Sequence, residues 1–224
     1  MSLLSQEFIS TFPDFPKHMD NLAKLVYYRT YSRWLPDEGR RETWKETCVR
    51  AVEYNCSLAR TSVYEAQRLF TNMFNLKQFI SGRSLWIGGS EASKKTKLAN
   101  FNCSFVVIDS IKSLCDLFYL LMVGTGVGVR ILPGDVSKLP TFRDDVILHS
   151  QYNPHSTKQR GREETITEQE DDMFVIKIGD SKEGWVDALR AYLNFMASDT
   201  ECNHLLIDYT EIRVKGATLS SFGG

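Results

Sequence analysis

The sequence has no apolar run approaching the ~20 residues that span a bilayer. Its first residues, MSLLSQEFISTFPDFPKH, have neither the basic start nor the long apolar stretch of a secretory leader. A cytoplasmic protein is expected, with no membrane partner. Charge of either sign is not in excess: 27 basic residues against 28 acidic leave a formal net charge of -1, which gives no hint of a groove for nucleic acid. Histidine is scarce, with His18, His149, His155 and His204 falling in no HxxxH or CxxH arrangement. Cysteine comes as an odd five, Cys48, Cys56, Cys103, Cys115 and Cys202, with no CxxC pair. Neither a metal site nor a disulfide framework is expected, and a reducing compartment fits. No internal repeat is present. What remains is a chain of 224 residues, 42% hydrophobic and 12% aromatic, ordinary for a globular protein and long enough for one large domain or two small ones.

Periodicity places the elements. Residues 41–55 predict a helix with Trp44, Cys48, Ala51 and Val52 near one face, and residues 62–79 another, striped by Val63, Ala66, Phe70, Met73 and Phe74. Ser81, Gly82, Gly88 and Gly89 break that pattern. Phe101 to Ile108 reads as a strand, residues 111–123 as a buried helix, and Val127 to Leu132 as a second strand after the glycines at 124, 126 and 128. From His149 to Asp172 the chain is polar and nearly free of aliphatics, which predicts a mobile loop. Met173 to Ile178 alternates as a strand, Asp180 and Glu183 resemble a capping box, and Trp185 to Met196 has a helical period. Leu205 to Ile207 is the last strand candidate. The mixture makes the class α/β or α+β.

Taken one at a time, the candidate motifs are weak. Gly124-Thr-Gly126-Val-Gly128 brings its third glycine one residue early for a dinucleotide fingerprint and lies between helix and strand in the wrong order, so a tight helix-to-strand turn is the better reading. Cys103, alone in a strand, is first a small core hydrophobe. The stretch from Ser81 to Gly89 reads as a surface loop anchored by Trp86, or as a loop offering a hydroxyl and amides to a phosphate or ribose. The C-terminal run ending in Gly223-Gly224 reads as a loop cut through its middle.

Together and in order, these pieces resemble the monomeric adenosylcobalamin-dependent (class II) ribonucleotide reductases, over their N-terminal half. The resemblance begins at Tyr28-Arg-Thr-Tyr-Ser-Arg-Trp-Leu-Pro36 and runs through Gly39-Arg40 to Trp44. It resumes at Ser81-Gly82-Arg83, Leu85-Trp86-Ile87, Asn102-Cys103, Phe105-Val106 and Gly126-Val127-Gly128. It closes with Glu183-Gly-Trp-Val186, Asp208, Ile212-Arg213, Gly216-Ala217 and Phe222-Gly-Gly224.

The resemblance implies an α/β fold: an N-terminal helical region followed by the first half-barrel of a ten-stranded α/β barrel, incomplete in this chain. The expected division is a helical region over 1–80 and first barrel strands with a substrate loop over 81–132. An insertion resembling an effector-binding region follows over 133–205, and a strand with the start of a glycine-rich loop over 206–224. The implied activity replaces the ribose 2′-hydroxyl by hydrogen through thiyl-radical chemistry, with triphosphate substrates favoured. Cys103 matches one cysteine of the reducing pair. Ser81, Asn102, Gly124, Gly126, Gly223 and Gly224 match positions at or near the substrate. Adenosylcobalamin is the implied cofactor, its contacts mostly outside this chain. The implied partners are the ribonucleotide, a deoxynucleotide effector, the C-terminal half of the reductase and a thioredoxin-like thiol reductant. The insertion is short beside that of the family, which puts effector control in question. The thiyl cysteine and the partner of Cys103 match nothing here, so the chain is expected to act as one half of a split or interrupted enzyme. The rival readings are a nucleotide-holding remnant without catalysis and an inert degenerate product.

Overall fold

Thr43-x-x-Glu46 and Ser62-x-x-Glu65 stand just ahead of the two apolar stripes of the N-terminal region. In the computed structural model, which describes residues 2–217 and 219, both are complete capping boxes, each hydroxyl and glutamate satisfying a backbone N–H at the helix start. The chain divides into two compact units, residues 1–100 and 101–224.

The first unit is helical. In chain order it holds α1 (Gln6–Ser10), α2 (Asn21–Thr30), a two-residue antiparallel ribbon β1 (Trp34–Leu35) and β2 (Arg40–Arg41), α3 (Trp44–Ser57), α4 (Val63–Phe74), α5 (Gly82–Ile87) and α6 (Glu91–Lys95). Helices α3 and α4 face each other across Cys48, Val52, Ala66, Phe70 and Met73, all fully buried. Phe8, Phe12, Phe70 and Phe74 pack mostly edge to face over this seam, and the Trp44 indole donates to the Phe74 carbonyl at 3.0 Å. The buried Glu42 forms an ion pair with the partly buried Arg50. Arg50 Nε and Nη2 reach the Glu42 carboxylate at 2.7 and 2.8 Å, and the same guanidinium donates to the carbonyls of Leu85 and Gly88. That ties α3 to the end of α5.

The second unit opens with β3 (Cys103–Val107), α7 (Ile111–Met122) and β4 (Gly126–Arg130), a strand–helix–strand in which β3 and β4 pair in parallel. After α8 (Pro133–Val136) come β5 (Ile147–Gln151), β6 (Ile166–Glu170), β7 (Met173–Lys177), α9 (Lys182–Met196) and β8 (His204–Asp208). The last four strands form one sheet in the order β5-β8-β7-β6, parallel except for the β6–β7 hairpin. Helix α9 covers one face through Ile176, Ala188, Phe195 and Leu205, and also packs on α7.

The mixed α/β character stands. The sheets among the described residues are small, of two, two and four strands, and none closes into a barrel. Several local expectations are corrected. The stretch from Ser81 is not a loop: Ser81 caps the short helix α5, with Leu85 and Ile87 buried beneath it. Helix α7 is not buried throughout, since only Ser113 and Cys115 are enclosed. The cap of α9 is Ser181, which accepts from the Gly184 amide at 2.8 Å, while Asp180 accepts from Gly161 instead. The polar segment 149–172 is not featureless. It contains the end of β5 and all of β6, and residues 158–165 are fastened to the β7–α9 corner and to residues 211–214. Asp180 N reaches Arg162 O, Ser181 Oγ reaches Glu163 O, Thr165 Oγ1 reaches Gly184 O, and Val214 N reaches Lys158 O.

Candidate active site around Cys103

The site is built where the parallel pair begins. The β-branched run after Cys103 extends the backbone, and Ser110 then caps α7 by accepting from the Ser113 amide at 3.2 Å. At the far end of α7 the chain must reverse within two residues. Gly124 makes this possible with φ +74°, a conformation unfavourable for a side-chain-bearing residue. Thr125 N bonds back to Leu120 O, and its buried hydroxyl donates to Phe101 O at 3.1 Å. Gly126 N donates to Asn102 O at 2.9 Å. These two bonds clasp the turn to the residues just ahead of β3 and set the register: Cys103 opposite Gly126, Phe105 opposite Gly128.

Strand alternation then sorts the side chains. Ser104 and Val106 share one face, and the Ser104 hydroxyl is buried there with no hydrogen-bond partner. Cys103 and Phe105 project from the other face and are exposed. Cys103 is the one cysteine of the five that is exposed. Cys48, Cys56 and Cys115 are enclosed, and burial pushes all three thiols up from their ordinary range. The Cys202 thiol lies against the carbonyls of Asp172 and His204.

The structure therefore brings Asn102, Cys103, Gly124 and Gly126 into one turn-and-strand arrangement. Ser81 belongs to the first unit, where its hydroxyl accepts from the Ser84 amide and donates to the Ser84 hydroxyl. Gly223 and Gly224 lie outside the described residues. Sequence reasoning missed Thr125 and quoted Phe105 and Gly128 only as matching positions, since the roles of all three exist only once the register is known. It also missed a pair in the larger sheet, His149 and His204, whose Nε2 and Nδ1 are 3.0 Å apart. Their ring centroids are 5.3 Å apart and the rings 20° from parallel. That separation is the nitrogen–nitrogen distance extended by the two ring radii, so the rings lie end to end in an N–H···N bond and are not stacked. Among the described residues no group of three or more His, Cys, Asp or Glu is placed to hold a metal ion, and no helix is long and apolar enough to cross a membrane.

Known proteins resemble this chain in sequence and in fold. Residues 4–90 match the ribonucleotide reductase alpha domain, and residues 146–224 match the insertion domain of B12-dependent ribonucleotide reductase. The chain resembles the N-terminal part of the B12-dependent (class II) ribonucleotide reductases. It is 31% identical over 267 residues to the adenosylcobalamin-dependent ribonucleoside-triphosphate reductase of Lactobacillus leichmannii, covering 99% of this chain and 36% of that protein. It is 28% identical to the enzyme of the same name from Levilactobacillus brevis, with the same coverage. A crystal structure of a B12-dependent (class II) ribonucleotide reductase superposes with a TM-score of 0.80 at 28% identity, over 99% of this chain and 37% of that one. The chain thus spans about 36% of the length of the relatives it matches.

Proposed function

We propose that this chain supplies the Cys103 side of the active site of an adenosylcobalamin-dependent ribonucleotide reductase acting on ribonucleoside triphosphates. The observation that carries the reading is an exposed thiol on the first strand of a parallel pair, beside a neighbour strand bearing glycine at the facing position. In this reading β3 and β4 are the first two strands of the ten-stranded barrel. The parallel pairing and an apolar face left uncovered support that, because parallel strands are normally covered on both faces.

The overall step converts the ribose C2′–OH to C2′–H, with two thiols becoming a disulfide and the hydroxyl leaving as water. Cys103 gives one thiol proton and one sulfur of that disulfide. A thiol can donate its proton to a departing hydroxyl, and two thiols can end as a disulfide. The second thiol, and the cysteine that carries the thiyl radical, are assigned to the remainder of the reductase, because the other four cysteines here are enclosed or turned to backbone carbonyls. The assignment is the same whether that remainder is joined in one polypeptide or is a separate one. Asn102, Gly124 and Gly126 stand beside Cys103, and the resemblance also matches Ser81, Gly223 and Gly224 to substrate positions. A thioredoxin-like protein renews the thiol pair.

Adenosylcobalamin, when bound, supplies the initiating radical. The family resemblance puts most of its contacts outside this chain, and no step in this chain runs through it. For a deoxynucleotide effector, the hollow of about 610 Å³ between α9 and the β6–β7 hairpin has the space and the polar lining, with Thr167, Gln169, Arg190 and Asn194.

The test is Cys103→Ser in the assembled reductase with adenosylcobalamin and a thiol reductant. Multiple-turnover formation of deoxynucleotide should vanish while the fold persists. Near-normal turnover would remove Cys103 from the reducing pair.

A further inference from the structure

The two glycines of β4 that face Cys103 and Phe105 are not there for backbone freedom. Neither Gly126 nor Gly128 has a positive φ. What they share is the missing side chain, and they use it differently. A Cβ on Gly128 would stand 3.0 Å from Cδ2 and 3.6 Å from Cε2 of Phe105, so the phenyl ring is seated directly on the Gly128 backbone. A Cβ on Gly126 would meet only Asn102 O, at 3.5 Å, so the space beside the Cys103 thiol is open. One strand face thus presents two adjacent rows: a thiol beside an empty step, then an aromatic ring lying across a filled one. Phe105 is 64% exposed in the chain.

We propose that Phe105, seated on Gly128, is a specificity-determining residue for the reaction. Its ring forms the apolar wall that stops the substrate's furanose ring from moving along the sheet away from Cys103, while Gly126 leaves the step on which that sugar lies. This rests on the reading of Cys103 as a reducing thiol. A flat apolar face suits the carbon face of a furanose, which carries no donors to satisfy, and it keeps water from the side of the thiol opposite the Gly124 turn. Because proton delivery from Cys103 depends on its distance to the leaving hydroxyl, loss of the wall acts on the chemical step more than on binding of the distant phosphates. A misplacement of ~1 Å can lower a rate on the order of a hundredfold.

The test is a set of variants in the assembled reductase, each checked for an unchanged melting midpoint. Phe105→Ala should lower kcat roughly ten- to a hundredfold with KM little changed. Gly128→Ala should give a similar loss, because its methyl lifts the ring from its seat and the ring, not the backbone, gives way. The double variant should be no worse than either single, since both remove the same wall, and Phe105→Leu should recover most of the rate. Gly126→Ala should instead raise KM and add to each of the others. Full activity of Phe105→Ala in an enzyme that Cys103→Ser inactivates would overturn the wall while leaving the thiol assignment intact. Additive losses from Phe105→Ala and Gly128→Ala would overturn it as well. An active Cys103→Ser enzyme would remove the reading on which the wall rests, and the wall with it.

Discussion

At the scale of single residues, the first unit depends on one buried charge. Burial alone would raise the Glu42 carboxyl, but the hydrogen bonds and charge of Arg50, with Thr47 and the Arg33 amide, hold it below the ordinary carboxylate range. A group depressed in the folded state adds stability above its unfolded pKa, about 4.3, and loses it as pH falls through the lower folded value. Urea unfolding of the wild type should therefore weaken between neutral pH and pH ~3. Glu42→Gln should be less stable at neutral pH by about 1–3 kcal/mol, since the partly buried Arg50 loses its counter-charge, and its pH dependence should be flatter. A variant as stable as the wild type at pH 7 would show that the pair contributes nothing. Little of this is legible in the sequence, where Glu42 is one acid among many. Cys103 stands out only through its ordered neighbours; read alone, a cysteine before Ser-Phe-Val-Val is a core residue. Thr125 and Phe105 are silent until the register is known, because each acts on a partner more than twenty positions away.

At the scale of elements, helices were legible and polar strands were not. The stripes of α3, α4 and α9 repeat every three to four residues and emerge with ends shifted by a few positions. Strand β6, Ile-Thr-Glu-Gln-Glu, has no apolar alternation. It is held by its ladder to β7 and by Glu168 and Glu170 reaching Lys177 across the pair. The cap of α9 was misplaced by one residue because Asp180 and Ser181 are both good caps, and the tertiary structure claims Asp180 for the Gly161 amide and Arg213. Glycines 161, 179 and 184 mark the corner where residues 158–165 are fastened. A Cβ on Gly179 would run into the backbone of Glu163 and Glu164, and one on Gly161 into that of Glu211. Gly179→Ala should accordingly cost about 3 kcal/mol, measured as a fall in melting midpoint. Amide exchange should be slow at Gly179, Asp180 and Gly184, and fast over 152–156. Uniformly fast exchange from 149 to 172 would restore the mobile loop and contradict the fastened corner.

At the scale of the whole molecule, the open face of the β3–β4 pair governs behaviour in solution. Phe105 is exposed on that face, Val129 is exposed on the opposite one, and Phe101, Ile131 and Leu132 are exposed beside the strands. Uncovered apolar surface and free strand edges drive association. The chain alone should run as oligomers or aggregate on size exclusion. Added barrel strands from the rest of a class II reductase should give a single defined complex. A monodisperse monomer indifferent to those strands would contradict the barrel assignment. The mixed α/β class was legible from alternating helical and strand periods. A closed barrel was not, because nothing in the local pattern of two parallel strands records how many neighbours they are meant to have.

The clasp at the head of β3 has a consequence for evolution in this chain. A strand's faces alternate with each residue, so the side from which the thiol emerges is a question of parity, counted from where Thr125 grips Phe101 and Gly126 grips Asn102. A one-residue insertion between the clasp and Cys103 would turn the sulfur towards the opposite face without altering any residue of the active site, whereas a pair of inserted residues would restore the side and shift the thiol by one step. Length variation at this point should therefore be tolerated only in even numbers, and Thr125, which touches no reacting atom, keeps the count.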